Sequence, residues 1–264
     1  MHWNKYEIKS NFLKRFRMAL WALAVALVFI AIKFFILAEG MELFSLNALF
    51  PSAIAGAIFV LGFLLAGILT DYKDAEKIPA ELCSSLESIW EEGKYFGRNK
   101  QEFDLVSFRD RLTNIIQSFF KGLGHEGGHH KLEECLRLVN MLSESFGEME
   151  TLGMPATSIV RLKNEQTALR RNISRVYYIQ RTQFLPSAHV FVESLVFGII
   201  LLLLFVKTGG SPELIVLFGF MSYFLFYILQ LVRTLEKPFR HGDETLDDVS
   251  LYLIEEFEKR LAGK

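Results

Sequence analysis

The residues with the most obvious chemical potential are His125, Glu126 and His129, in the run His125-Glu126-Gly127-Gly128-His129. They match H-E-x-x-H, in which a helix presents both imidazoles to one zinc ion and the glutamate acts as general base. That chemistry needs a helix. Two adjacent glycines cost roughly 2 kcal/mol of helix propensity relative to alanine, and Gly122 and Gly124 precede them. The sequence therefore predicts a loop over Gly122–Gly128, with no more than weak adventitious metal binding by His125, His129 and His130. No metal centre, no cofactor and no nucleophile with a base are expected, so the chain does not read as an enzyme. Lys33 and Glu193 are ionisable residues inside apolar runs, where the cost of desolvation makes a charge a functional candidate by default. Lys33 is either a structural cation that snorkels to the surface or an anion-attracting charge in an outer vestibule. Glu193, about two turns into its run and beyond His189, either faces a water-filled path or pairs with a neighbouring helix. Phe59 and Phe63 are four apart and fall on nearly one helix face. They are either core and lipid contacts or a hydrophobic constriction that gates by dewetting.

The elements that carry these residues are long and apolar. The chain has 264 residues, of which 51% are hydrophobic and 22% charged, and 25 are Phe. Met18–Leu37, Pro51–Thr70, Pro186–Val206 and Leu214–Val232 are nearly free of charge. At about 1.5 Å per residue each is long enough to cross a hydrocarbon core of about 30 Å. A soluble globular enzyme is excluded. The expected fold is an all-α integral membrane protein with four transmembrane helices and a helical cytoplasmic insert between spans two and three.

The net charge of −1 averages over two environments, so the position of charge matters more than its sum. Of 29 Lys and Arg, five precede span one, sixteen lie between spans two and three, and six follow span four, leaving only Lys33 and Lys207. Basic residues near span ends are retained in the cytoplasm. Both termini and Asp71–Leu185 are therefore expected inside, in the plasma membrane or the cell inner membrane. The first apolar run starts too late and runs too long for a cleavable signal and is read as a retained span. The expected organisation is a cytoplasmic segment over 1–17, a transmembrane hairpin over 18–70, a cytoplasmic helical domain over 71–185, a second hairpin over 186–232 and a cytoplasmic C-terminal helix over 233–264. The lipid bilayer is the first partner, and no nucleic acid is expected.

In the insert, Leu82, Leu86, Ile89 and Trp90 recur at helical spacing, as do Leu105, Phe108, Leu112, Ile115 and Phe119, and then Leu132, Leu136, Val139 and Leu142. These are amphipathic helices, each needing a partner face. Gly153-Met154-Pro155 marks a boundary, after which an Arg-rich helix over 156–185 leads to Pro186 at a tolerated first-turn position. Cys83 and Cys135 both fall in this inner segment, where thiols stay reduced, so no structural disulfide is expected. Span two carries small residues (Ser52, Ala53, Ala55, Gly56, Ala57, Gly62, Ala66, Gly67) that let helix backbones approach closely.

Phe59-Val60-Leu61-Gly62-Phe63, in a span entered through Pro51 and left through Asp71-Tyr72-Lys73-Asp74-Ala75, resembles the second transmembrane helix of the bestrophin ion channels. Leu235-Glu236-Lys237-Pro238-Phe239-Arg240-His241-Gly242, followed by acidic residues, resembles the bestrophin segment with a Pro-Phe pair and an acidic cluster. The shorter bestrophin-like bacterial and archaeal proteins share an Arg-rich helix before Leu-Pro at span three, here Arg175, Arg181, Leu185 and Pro186. The resemblance covers roughly half the chain; the insert over 94–158 has no counterpart in it. It implies a homo-oligomer, a pentamer, around a pore that passes inorganic ions, chloride among them. Its neck would be lined by Ala55, Phe59 and Phe63, with alanine departing from the bulkier residue usual at the first position. Animal members bind calcium through the acidic cluster. Here Asp243, Glu244, Asp247 and Asp248 are spaced differently, which argues against calcium gating.

Two functional classes follow. One is a passive channel for anions or small monovalent ions; no nucleotide-binding loop or broken-helix repeat suggests active transport. The other is a membrane-anchored scaffold or sensor whose insert binds a cytoplasmic partner.

Overall fold

The computed structural model describes residues 5–45, 49–123, 128–181, 186–236, 238–239 and 248–263. These form helices α1 (Lys5–Ala38), α2 (Leu49–Asn99), α3 (Leu105–Leu123), α4 (Gly128–Thr151), α5 (Ala156–Arg181), α6 (Pro186–Leu204), α7 (Pro212–Leu235) and α8 (Tyr252–Leu261). The chain divides into two compact units, and α2 contributes to both, changing unit after Tyr72.

Unit 1 holds α1, the first half of α2, α6 and α7. Among the described residues three helices (α1, α2 and α7) contain stretches long and apolar enough to cross a membrane, and α6 is apolar over the shorter stretch His189–Leu204. In hydrocarbon such helices associate through packing and polar contacts rather than through water exclusion. Phe226 of α7 is the hub: its ring meets Phe29 at 5.2 Å, Phe197 at 6.2 Å and Trp21 edge-on at 6.3 Å. Ala22, Leu61, Val192, Val196, Ile199, Leu225 and Leu229 close around it. Gly219 of α7 lies against the Ile30 side chain of α1, where a Cβ would be 2.7 Å from Ile30 Cδ1. At one end of the unit the α1–α2 and α6–α7 connections are stitched together. Phe44 forms a parallel bridge with Val206, and the Leu43 and Phe44 amides both donate to Phe205 O at 2.9 and 3.0 Å.

Unit 2 holds α2 from Lys73 onward, α3, α4, α5 and α8. The stripes expected from sequence are its core: Leu82, Leu86 and Ile89 of α2, Phe108, Leu112, Ile115 and Phe119 of α3, and Leu132, Val139 and Leu142 of α4 are all buried. Asp104 starts α3 by accepting the Val106 and Ser107 amides at 3.1 and 2.9 Å. A side chain at Gly93 would collide with the Phe108 ring, which stacks on Trp90. The helix that carries span two does not stop with the apolar run at Thr70: α2 continues through Asp71 and Pro79 to Asn99, the break that proline normally imposes being outweighed by burial of Ala75, Ile78, Leu82 and Cys83 around it. The sequence reading is corrected at the glycine loop: Gly122 and Gly128, expected within it, are helical, because α3 extends through Leu123 and α4 begins at Gly128.

Both cysteines are free and buried. Burial and the Glu87 carboxylate push the Cys83 thiol up to about 11; burial, with Glu134 beside it, pushes Cys135 up to about 12. Thiolate is the reactive form. Both thiols should therefore be nearly inert to a disulfide reagent at pH 7.5 in the folded protein and react at once in denaturant. Rapid labelling of either in the native state would contradict this burial. It also makes thiol labelling in intact cells a poor reporter of which side of the membrane they occupy.

Candidate functional site

The first half of α2 has two unlike faces. Leu61 and Ile68 are buried, with Ile54, Ala57, Leu64 and Leu65 packed beside them against the rest of unit 1. About half a turn away, at the 100° per residue of a helix, lie Ala55, Phe59 and Phe63. All three are exposed, the two phenylalanines at 76% and 74%. The surface around them is small: Ser52, Gly56, Gly62, Ala66 and Gly67 are exposed too, and no atom comes near a Cβ built on Gly56, Gly62 or Gly67. Two large rings thus stand on a smooth, unoccupied helix face.

The second feature is a buried ionic lock at the stitched end of unit 1. Lys33, 0% exposed, donates from Nζ to Leu204 O at 2.9 Å, to Val206 O at 2.5 Å and to Glu42 Oε1 at 2.9 Å. Glu42 in turn accepts from Thr208 N at 3.0 Å, Thr208 Oγ1 at 2.7 Å and Gly209 N at 3.4 Å. Burial pulls the Glu42 carboxyl upward. The hydrogen bonds from Lys33 and Thr208 together with the lysine charge outweigh it and hold the group at about 2. Of the two roles open to Lys33, the contacts within this chain are structural: all three of its protons are taken.

A third cluster joins α6 to α7. Arg233 Nη2 donates to Glu193 Oε1 at 2.5 Å, and the same carboxylate oxygen lies 3.1 Å from His189 Nε2. The other ring nitrogen, Nδ1, lies 3.1 Å from the Glu236 carboxylate. Of the two roles open to Glu193, the structure displays pairing with a neighbouring helix. The two ring nitrogens address different carboxylates on opposite sides of the imidazole, so the cluster has no common point for a metal. Sequence reasoning missed Glu42, Arg233 and Glu236. The signal for Glu193 was local, since His189 sits four residues earlier on the same helix; the other partners are distant in sequence.

The remaining sequence candidates fall partly outside the described residues. Asp243, Glu244 and Asp247 lie outside the described residues, as do His125 and Glu126. Asp248 is half-buried, and His129 and His130 fall in the first turn of α4. Among the described residues no group of three or more His, Cys, Asp or Glu is placed to hold a metal ion.

No protein-family model and no curated protein matches the chain. Solved structures do. A point variant of a bacterial bestrophin homolog from Klebsiella pneumoniae superposes with a TM-score of 0.76 at 13% identity, covering 92% of this chain and 97% of that one. A zinc-phased structure of the Klebsiella pneumoniae homolog gives a TM-score of 0.75 at 13% identity, with the same coverage of 92% and 97%. A point variant described only as a membrane protein gives 0.74 at 14% identity, covering 93% of this chain and 97% of that one. The likeness therefore runs through both units, including the insert that the sequence motifs left unmatched, and the chain has the bestrophin-like fold.

Proposed function

We propose that the chain is one subunit of a bestrophin-like ion channel, a homo-oligomer that passes anions or small monovalent ions, chloride among them. Its four spans would be α1, the first half of α2, α6 and α7, with unit 2 and both termini on the cytoplasmic side, as the basic residues favour. The observation that carries this reading is the α2 face: Phe59 and Phe63 are exposed at 76% and 74% on a helix whose opposite side is packed. Copies of a face so poor in bulk can approach a shared axis closely, and Ala55, Phe59 and Phe63 would then ring the narrowest point. The pentameric number comes from the family resemblance. Lys33 and Glu193, the charges considered for the ion pathway, are satisfied within unit 1 and in this reading shape it rather than line it.

Single-channel recording on purified protein in a planar bilayer, with its mass measured in detergent, tests the reading directly. Currents from a multi-subunit particle support it; a particle that never conducts under varied ions, lipids and voltage refutes it. The acidic stretch adds a subsidiary expectation. A calcium site needs about six to eight converging oxygens, and Asp243, Glu244, Asp247 and Asp248 crowd into six consecutive positions. Currents should change little between calcium-free and micromolar-calcium solutions. Steep activation that Asp247→Ala abolishes would reverse that assignment.

A further inference from the structure

His189 holds a carboxylate on each ring nitrogen, and a neutral imidazole has only one N–H to donate. Ionised Glu193 and Glu236 are acceptors only, so both 3.1 Å contacts are hydrogen bonds at the same moment only when the ring is an imidazolium. With Arg233 the protonated cluster is neutral: two carboxylates, one guanidinium, one imidazolium. Without the proton it carries one net negative charge, and one ring nitrogen turns a lone pair toward a carboxylate.

We propose that His189 is a proton-operated clasp between α6 and α7, closed when the ring is doubly protonated and loosened at Glu236 when it is not. The proton leaves to water, and no other covalent bond is made or broken. Arg233 keeps Glu193 anchored in either state, since their ion pair does not involve the ring. Among the described contacts Glu236 is tied to α6 by the ring alone, so a change in the ring's protonation is read at the Glu236 side, at the C-cap of α7. The ring's hydrogen-bond partners are Glu193 from its own helix and Glu236 from α7. The other helices packed at this end are α1, whose Met18 sulfur Thr234 touches and which carries Arg17 one position earlier in sequence, and α2, whose Tyr72 packs on the cluster that includes Leu235 and follows Asp71 in sequence. The histidine ring is partly exposed, which gives water access to it.

The experiment compares an acidic with a mildly alkaline solution. Amide hydrogen exchange of full-length purified protein, corrected for the intrinsic pH effect on exchange, is measured at pH 5.5 and 8.0 over 186–193 and 230–236. In the wild type, exchange at 230–236 should rise several-fold at pH 8.0, and the melting temperature should fall by about 4 °C. Glu236→Gln supplies the decisive control. Its amide can donate to the bare nitrogen of a neutral ring or accept from a charged one, so the clasp stays closed and both pH effects should vanish. His189→Gln cannot bridge two carboxylates and should exchange fast at both pH values. A wild type with no pH dependence at 230–236, or a Glu236→Gln protein that keeps the full wild-type dependence, overturns the proposal. Neither readout needs a current, so this outcome stands apart from the conduction reading.

Discussion

Phe59→Ala and Phe63→Ala should each raise ion flux through the purified oligomer by on the order of tenfold, equivalent to about 1.4 kcal/mol off the barrier. A phenylalanine ring gives an ion nothing to replace its water shell, so a constriction of such rings conducts only when it widens or wets. Truncation to alanine does both. The substitutions should leave folding almost untouched, because neither ring is packed in its own chain, and an unchanged melting temperature is part of the expected result. The proper controls are Phe220 and Phe224 on α7, exposed at 62% and 38%. Phe218 is unsuitable, since it is buried against Ile36 and Leu204 and its loss would leave a cavity. Flux from reconstituted vesicles, compared at equal protein content, decides the matter. No change in either α2 variant, or an equal rise in the α7 controls, would remove the neck from these residues.

The second large effect concerns stability. Lys33→Met leaves the Glu42 carboxylate in its pocket without its cation, and Glu42→Ala leaves an ammonium buried with only two carbonyls. Breaking a buried pair by removing one partner costs about 3–5 kcal/mol, which for a chain of this size lowers the melting temperature by about 10 °C. The double variant Lys33→Met with Glu42→Leu should be less damaging than the sum of the singles, because it leaves no unpaired charge. Thermal unfolding of the four proteins in one detergent checks both statements. The pH dependence has a definite sign. Glu42 is depressed from its ordinary 4.5 to about 2, so its contribution is complete above about pH 4.5 and is lost as the pH falls towards 2. Acid destabilisation in that window should be weaker in Glu42→Ala than in the wild type.

How much of this could be read from the chain differs by feature, for a physical reason. Long apolar runs report their environment residue by residue, so Met18–Leu37 and Leu214–Val232 were recognisable as spans without partners. Helical spacing likewise exposed the buried stripes of α3 and α4, because i, i+3 and i+4 repeats are a local property. The short motifs around Phe59 and Pro238 sufficed for the resemblance to bestrophins even though overall identity to the solved homologs is 13–14%. Only the tertiary structure decided what the charges do. Lys33 looks in sequence like a cation near the end of a span, and its meaning changed once Glu42, nine residues on, and the carbonyls of Leu204 and Val206, more than 170 residues away, closed around it. His189 and Glu236 are 47 residues apart and met because α6 and α7 pack together. The continuation of α2 through Pro79 was hidden for the same reason. Proline's cost is local and visible, whereas the burial of Ile78 and Leu82 that outweighs it depends on helices elsewhere in the chain. Periodicity and hydropathy are sums over neighbours in sequence, but the partner of a buried charge is a neighbour in space.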